Sequence, residues 1–178
     1  MIFERLKEDF KKLLDTKELK DFKKESPHAY FISAFLMIES LDVKDVKWQI
    51  DFYDSETCKA STFSFNNGIV EYKTGEEILQ KKKEDIEEVK LEKTKINFDE
   101  VIEIIHKFRK KKYPEEKAQK IIVILQNFKK HLIWNITYIT VNLNLLNFKV
   151  DAVNGKVIES KMEPLIKFSA KILPGNKK

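Results

Sequence analysis

Trp134-Asn135-Ile136-Thr137-Tyr138 reproduces Trp48-Gln49-Ile50-Asp51-Phe52 position by position, as tryptophan, amide, isoleucine, polar residue and aromatic. In both runs large apolar residues alternate with polar ones, the period of a β-strand with one face buried. Matching landmarks surround the two runs in the same order. Pro27 and Pro114 lie 87 positions apart, Trp48 and Trp134 lie 86 apart, and Gly68 and Gly155, each preceded by asparagine, lie 87 apart. Offsets that agree to within one residue indicate an internal duplication.

Elements can be read outward from these strands. In the first half, Phe3, Leu6, Phe10, Leu13 and Leu14 recur at spacings of three and four and predict an amphipathic helix. Asp15 or Thr16 can cap a second, short helix carrying Leu19 and Phe22, which must stop near Pro27. Tyr30–Ile38 is almost uncharged, as a strand buried on both faces would be, with a buried helix as the alternative. Val46–Tyr53, Thr57–Phe65 and Ile69–Tyr72 read as antiparallel strands, the last pair joined by the turn Asn66-Asn67-Gly68.

In the second half Asn97 and Glu100 form a capping-box pattern ahead of the stripe Val101, Ile104, Ile105 and Phe108, in a helix that ends before Pro114. Strand-like runs follow at Lys120–Gln126, His131–Thr140, Leu143–Ala152 and Lys156–Lys161, with Asn154-Gly155 as the last turn. Between the halves, Gly75–Lys95 has too few apolar residues to own a core. Its first part suits an exposed helix, and Val89–Ile96 alternates like an edge strand. The expected fold is therefore α+β: two tandem lobes, each a helix plus an antiparallel meander, at 1–74 and 96–178, with 75–95 as a charged linker. A pseudo-twofold pairing of the lobes is one way to join them.

At 178 residues and 42% hydrophobic, the chain has material for a globular core without staples. Cys58 is the only cysteine, so no internal disulfide forms, and a reducing compartment is suited. Met1–Lys24 carries charge throughout, without the apolar segment of a secretory signal. Apolar stretches such as Ile121–Leu125 fall far short of the roughly 20 residues that span a membrane. The expectation is a soluble, cytoplasmic protein. Its excess of 34 Lys and Arg over 29 Asp and Glu permits an acidic partner without requiring one.

Phe98–Lys161 resembles the PepSY domain family. Its pattern is a helix, a proline or glycine break, strands with a central aromatic, and a closing motif that stands here as Val150-Asp151-Ala152 and Gly155-Lys156-Val157. The first half offers Phe63-Ser64-Phe65 and Gly68-Ile69-Val70 without the aspartate and joins the resemblance through the repeat. The resemblance implies a non-catalytic α+β module that binds or inhibits other proteins.

The residues themselves assemble no recognisable catalytic or metal motif. His28, His106 and His131 are scattered, and none forms the i, i+4 pair of a zinc helix. Cys58 reads as a small core residue, the carboxylates are interleaved with lysines, and four glycines leave little for a phosphate loop. No enzyme activity, cofactor or metal is expected. Trp48, Phe52, Trp134, Ile136 and Tyr138 are assigned to the core rather than to a stacking platform. Lys107, Arg109, Lys110, Lys111, Lys112, Lys129, Lys130 and His131 would form one positive patch if the helix end and the hairpin lay side by side, and would otherwise be an ordinary helix C-terminus. The leading expectation is a cytoplasmic protein-binding or regulatory module whose partner is another protein, met at a sheet edge or in the groove between lobes. The rivals are a nucleic-acid or ribosome-associated binder using the basic patch, and a carrier of an apolar ligand between the lobes.

Overall fold

The apolar, nearly uncharged runs become the middle of a sheet, and the half-apolar runs become its flanks. β1 (Ala29–Ile38), β2 (Gln49–Asp54), β3 (Lys59–Asn66) and β4 (Ile69–Glu77) form one meander; β5 (Ala118–Phe128), β6 (His131–Thr140), β7 (Asn144–Asp151) and β8 (Val157–Pro164) form the other. A computed structural model describes residues 2–39, 47–77 and 86–167. The two meanders share a single antiparallel sheet of order β4-β3-β2-β1-β5-β6-β7-β8, a palindrome about the β1–β5 pair. That pair runs from Ser33↔Gln126 to Ile38↔Ile121, so the halves are joined by backbone hydrogen bonds. β1 is buried on one face rather than on both, as its sequence predicts: Phe31, Ala34, Leu36 and Ile38 are enclosed, while Tyr30, Ile32 and Phe35 on the other face are half-buried and Met37 is exposed.

The register is repeated as well. Ile50 pairs with Phe63 where Ile136 pairs with Phe148, and the next apolar partners outward are Phe65 beside Trp48 and Val150 opposite Trp134. The hairpin that follows is two residues longer in the second half, since Phe65 pairs with Val70 but Val150 with Val157.

One face of the sheet is covered by α1 (Ile2–Asp15), α2 (Lys17–Glu25) and α3 (Phe98–Lys112). Thr16 accepts from the Leu19 amide to cap α2, and Asn97 and Glu100 make the reciprocal capping box of α3. Phe22 of α2 sits edge-on to Phe52 and Phe63, and Phe108 of α3 edge-on to Phe148. α1 bridges the halves: Phe10 lies against Phe31 and Phe52, while Phe3 lies edge-on to Trp134. The buried apolar residues form one continuous core. Among the described residues, no helix covers the other face.

Four expectations are corrected. Val89–Ile96 is not an edge strand but a strap with a short 3-10 turn at Leu91–Lys93. Its alternation reflects a chain laid on the core: Val89 is buried and its amide donates to the Phe31 carbonyl. Leu14 is exposed, outside the buried stripe of α1 formed by Phe3, Leu6, Asp9 and Leu13. Cys58 is an exposed turn residue with φ of 57°, not a core residue on a strand. The first residues of the expected linker, Gly75–Glu77, extend β4; the exposed helix expected after them falls largely on 78–85, outside the described residues.

Candidate functional site

Both tryptophans are buried, and each indole has a backbone partner. Trp48 Nε1 donates to the Ile2 carbonyl at 3.1 Å, and Trp134 Nε1 donates to the Ile96 carbonyl at 2.8 Å. Each ring thus fixes the point where the chain enters a helix, α1 or α3. Phe52, Ile136 and Tyr138 lie on the same buried face. A ring enclosed in this way offers no face to a base or sugar.

The basic residues do not form one patch. Arg109 lies over the Tyr138 ring, and its guanidinium donates to the Glu116 carbonyl. Lys112 Nζ donates to Ser160 Oγ at 3.0 Å. Lys129 and Lys130 form the β5–β6 turn, where Phe128 pairs with His131. Tyr138 pairs with Ile121, seven residues back along β5 from Phe128, or about 23 Å at ~3.3 Å per residue. α3 begins near this turn and runs away from it, so its C-terminal lysines and the turn lysines lie toward opposite ends of the sheet. The expected single patch is therefore two clusters.

The histidines are also dispersed. His28 approaches Glu56 at 3.1 Å and His131 approaches Asp151 at 3.2 Å, while His106 is exposed on α3. Among the described residues, no three His, Cys, Asp or Glu groups converge as a metal site.

The motif at 150–157 has a structural task. Asp151 accepts from the amides of Val153 at 2.8 Å and Asn154 at 3.1 Å. Burial pushes its pKa up, but those two amides and the His131 ring outweigh this and hold it below the ordinary value. The Ala152 carbonyl accepts from both Lys95 and Ile96, which ties the turn to the strap ahead of α3. Gly155 has φ of 76°, and a Cβ there would stand 3.0 Å from Ile104 Cδ1. The motif therefore locks hairpin, strap and helix together.

On the uncovered face, Asp51 accepts from Ser33 Oγ and Thr62 Oγ1, each at 2.7 Å. Burial raises its pKa more than these hydroxyls and Gln49 lower it. Beside it lies a cleft of about 380 Å³ lined by Gln49, Thr62, Ser64, Glu71, Tyr72, Lys73 and Glu76. In the second half the corresponding pair, Thr137 and Asn147, is neutral and joined at 2.8 Å. Sequence reasoning did not single out Asp51; its signal was an acid at a position where the repeat has threonine. A second cleft of about 620 Å³ lies between α1 and the strap, with Phe10, Phe31, Val89 and Leu91 among its lining residues.

β4 forms one edge of the sheet. Among the described residues it is bonded only to β3, and every residue of it except Val70 is exposed, including Ile69 and Tyr72. Its hairpin has a two-residue loop, so Ile69 and Asn66 form a hydrogen-bonded pair and the alternate residues Val70 and Tyr72 turn their amides outward.

This arrangement defines an α+β module whose singled-out polar groups hold turns, caps and helix entries. Residues 95–161 match the family described as "Peptidase propeptide and YPEB domain", so this stretch is similar to a PepSY domain. No curated protein matches the sequence significantly. The fold is similar to the crystal structure of a "putative lipoprotein" from Clostridium difficile, with 17% identity, a TM-score of 0.52, and coverage of 82% of this chain and 90% of that one. At that identity the likeness is one of fold.

Proposed function

We propose that this chain is a non-catalytic protein-binding module that takes an extended segment of a partner polypeptide onto β4. The observation that carries the reading is an exposed edge strand next to a polar cleft on the same meander. The outward amides of Val70 and Tyr72 would extend the sheet by one strand, and the cleft lined by Gln49, Ser64 and Glu71 would take a partner side chain. The PepSY match supports a binding module rather than a catalyst. A cytoplasmic setting is part of the proposal, and the exposed, unpaired Cys58 thiol is compatible with it.

The test is capture of a polypeptide from native extract by the full chain and by two variants. Tyr72→Pro removes an outward donor while leaving the β3 ladder in place, and Tyr72→Ala controls for the side chain. Binding lost with proline and kept with alanine is expected. Equal capture by Tyr72→Pro and the unaltered chain would sink the edge-strand reading. The division of the basic residues into two clusters leaves the nucleic-acid reading without a single surface.

A further inference from the structure

The end of the sheet where α3 finishes carries a tip unlike its counterpart in the first half. β6 turns into β7 through Val141, Asn142 and Leu143, and Val141 and Leu143 are 55% and 62% exposed. Leu143 has φ of 58°, a left-handed conformation that disfavours leucine and suits asparagine or glycine. The matching turn of the first half, between β2 and β3, is Ser55-Glu56-Thr57-Cys58, with Cys58 at the same φ of 57°. One copy of the repeat is therefore polar at this turn, and the other projects two aliphatic side chains into water.

The tip does not stand alone. The Leu165 amide donates to the Leu143 carbonyl at 2.8 Å, which brings up Ile166, 78% exposed. The Val141 amide donates to the Lys117 carbonyl at 3.0 Å, and Lys110 and Lys111 end α3 on the same side of the molecule.

We propose that this corner is a peripheral contact for an anionic lipid surface. Val141, Leu143 and Ile166 enter the headgroup region while Lys110, Lys111 and Lys117 meet lipid phosphates. Exposed aliphatic residues with lysines on the same side, and Glu115 as an exposed acid among them, match the two components of such binding, buried apolar area and attraction to anionic headgroups. A soluble polyanion would use the lysines and have no use for the aliphatic tip. The contact is independent of the β4 edge, which belongs to the other half.

The test is co-sedimentation of the full chain with vesicles of phosphatidylglycerol and phosphatidylcholine in equal parts, and with phosphatidylcholine alone. The double variant Val141→Ser, Leu143→Asn copies the polar character of the first-half turn and relieves the left-handed leucine, so its melting temperature should not fall. The unaltered chain should sediment with the anionic vesicles only, and the double variant should partition about tenfold less or weaker still. Lys110→Gln with Lys111→Gln should lower partitioning further and reduce its salt dependence. Failure of the unaltered chain to sediment with anionic vesicles would overturn the proposal. So would equal partitioning of the double variant, which would mean a charge-only contact, as with heparin, RNA or an acidic protein.

Discussion

Truncating Trp134 tests whether the indole is a hinge pin of the fold. The ring is fully buried, touched edge-on by Phe3 at 5.5 Å and Phe98 at 6.1 Å, and its Nε1 holds the Ile96 carbonyl. A buried aromatic removes up to ~250 Å² from water, and at about 25 cal/mol per Å² the ceiling is ~6 kcal/mol. Alanine keeps part of that area but leaves a cavity, so Trp134→Ala should cost about 3–5 kcal/mol. In a chain of this length that corresponds to a melting-temperature loss of roughly 6–20 °C. Trp134→Phe separates the two contributions, because it keeps most of the packing and removes the hydrogen bond, at about 1–3 kcal/mol. Urea unfolding with a constant m-value measures both, and hydrogen exchange adds a positional readout: the first turn of α3 should lose protection in both variants before the sheet does. A Trp134→Ala protein with an unchanged midpoint, or a Trp134→Phe protein with full α3 protection, would refute the assignment.

Gly155→Ala should destabilise more than Gly68→Ala. Both sites are left-handed, but only at Gly155 does the new methyl meet Ile104 Cδ1 at 3.0 Å, while at Gly68 nothing lies within 4 Å. About 1 kcal/mol is expected at Gly68 and more at Gly155, read from paired denaturation curves. The two aspartates should act on stability with opposite signs as pH changes. Asp151 is held below its ordinary pKa, so its contribution is present above the unfolded value near ~3.9 and is lost as pH falls through the folded value; Asp151→Asn should flatten the acid limb of a stability–pH profile. Asp51 is raised, so folding loses stability as pH climbs from the unfolded to the folded value; Asp51→Asn should remove that loss and leave the protein at least as stable at pH 7.

Local chemistry was legible where an element is specified by its own residues. β6 spans His131–Thr140 as its alternation predicts, and α3 starts at the capping box. What joins the halves was not legible, because the β1–β5 register depends on partners about ninety residues apart that share only apolar character. The strap misled for a related reason. Val89 and Leu91, two residues apart, both lean on the core, which imitates strand alternation without a ladder partner. The basic clusters are close in sequence, yet β5 lies between them and carries them apart. The aliphatic tip could not be found by periodicity, since Val141 and Leu143 look like strand residues until the turn is placed.

The two halves also show what the PepSY motif contributes. Each half must anchor the entry of its helix to the sheet, and in each the tryptophan indole makes that bond. In the second half the strap reaches α3 across a long hairpin, so its path is also held by the Ala152 carbonyl, and Asp151 and Gly155 shape the turn that presents it. In the first half the hairpin is shorter, with Asn66 paired directly with Ile69 across Asn67 and Gly68. A two-residue turn closed by Asn67 and Gly68, at φ of 50° and 82°, is enough there. The shorter hairpin leaves no place for the aspartate that shapes the longer turn of the second half. Grafting Val150–Val157 in place of Phe65–Val70 should add no stability to the first meander, whereas shortening the second hairpin to the length of the first should release the strap and fray α3 from its N-terminus.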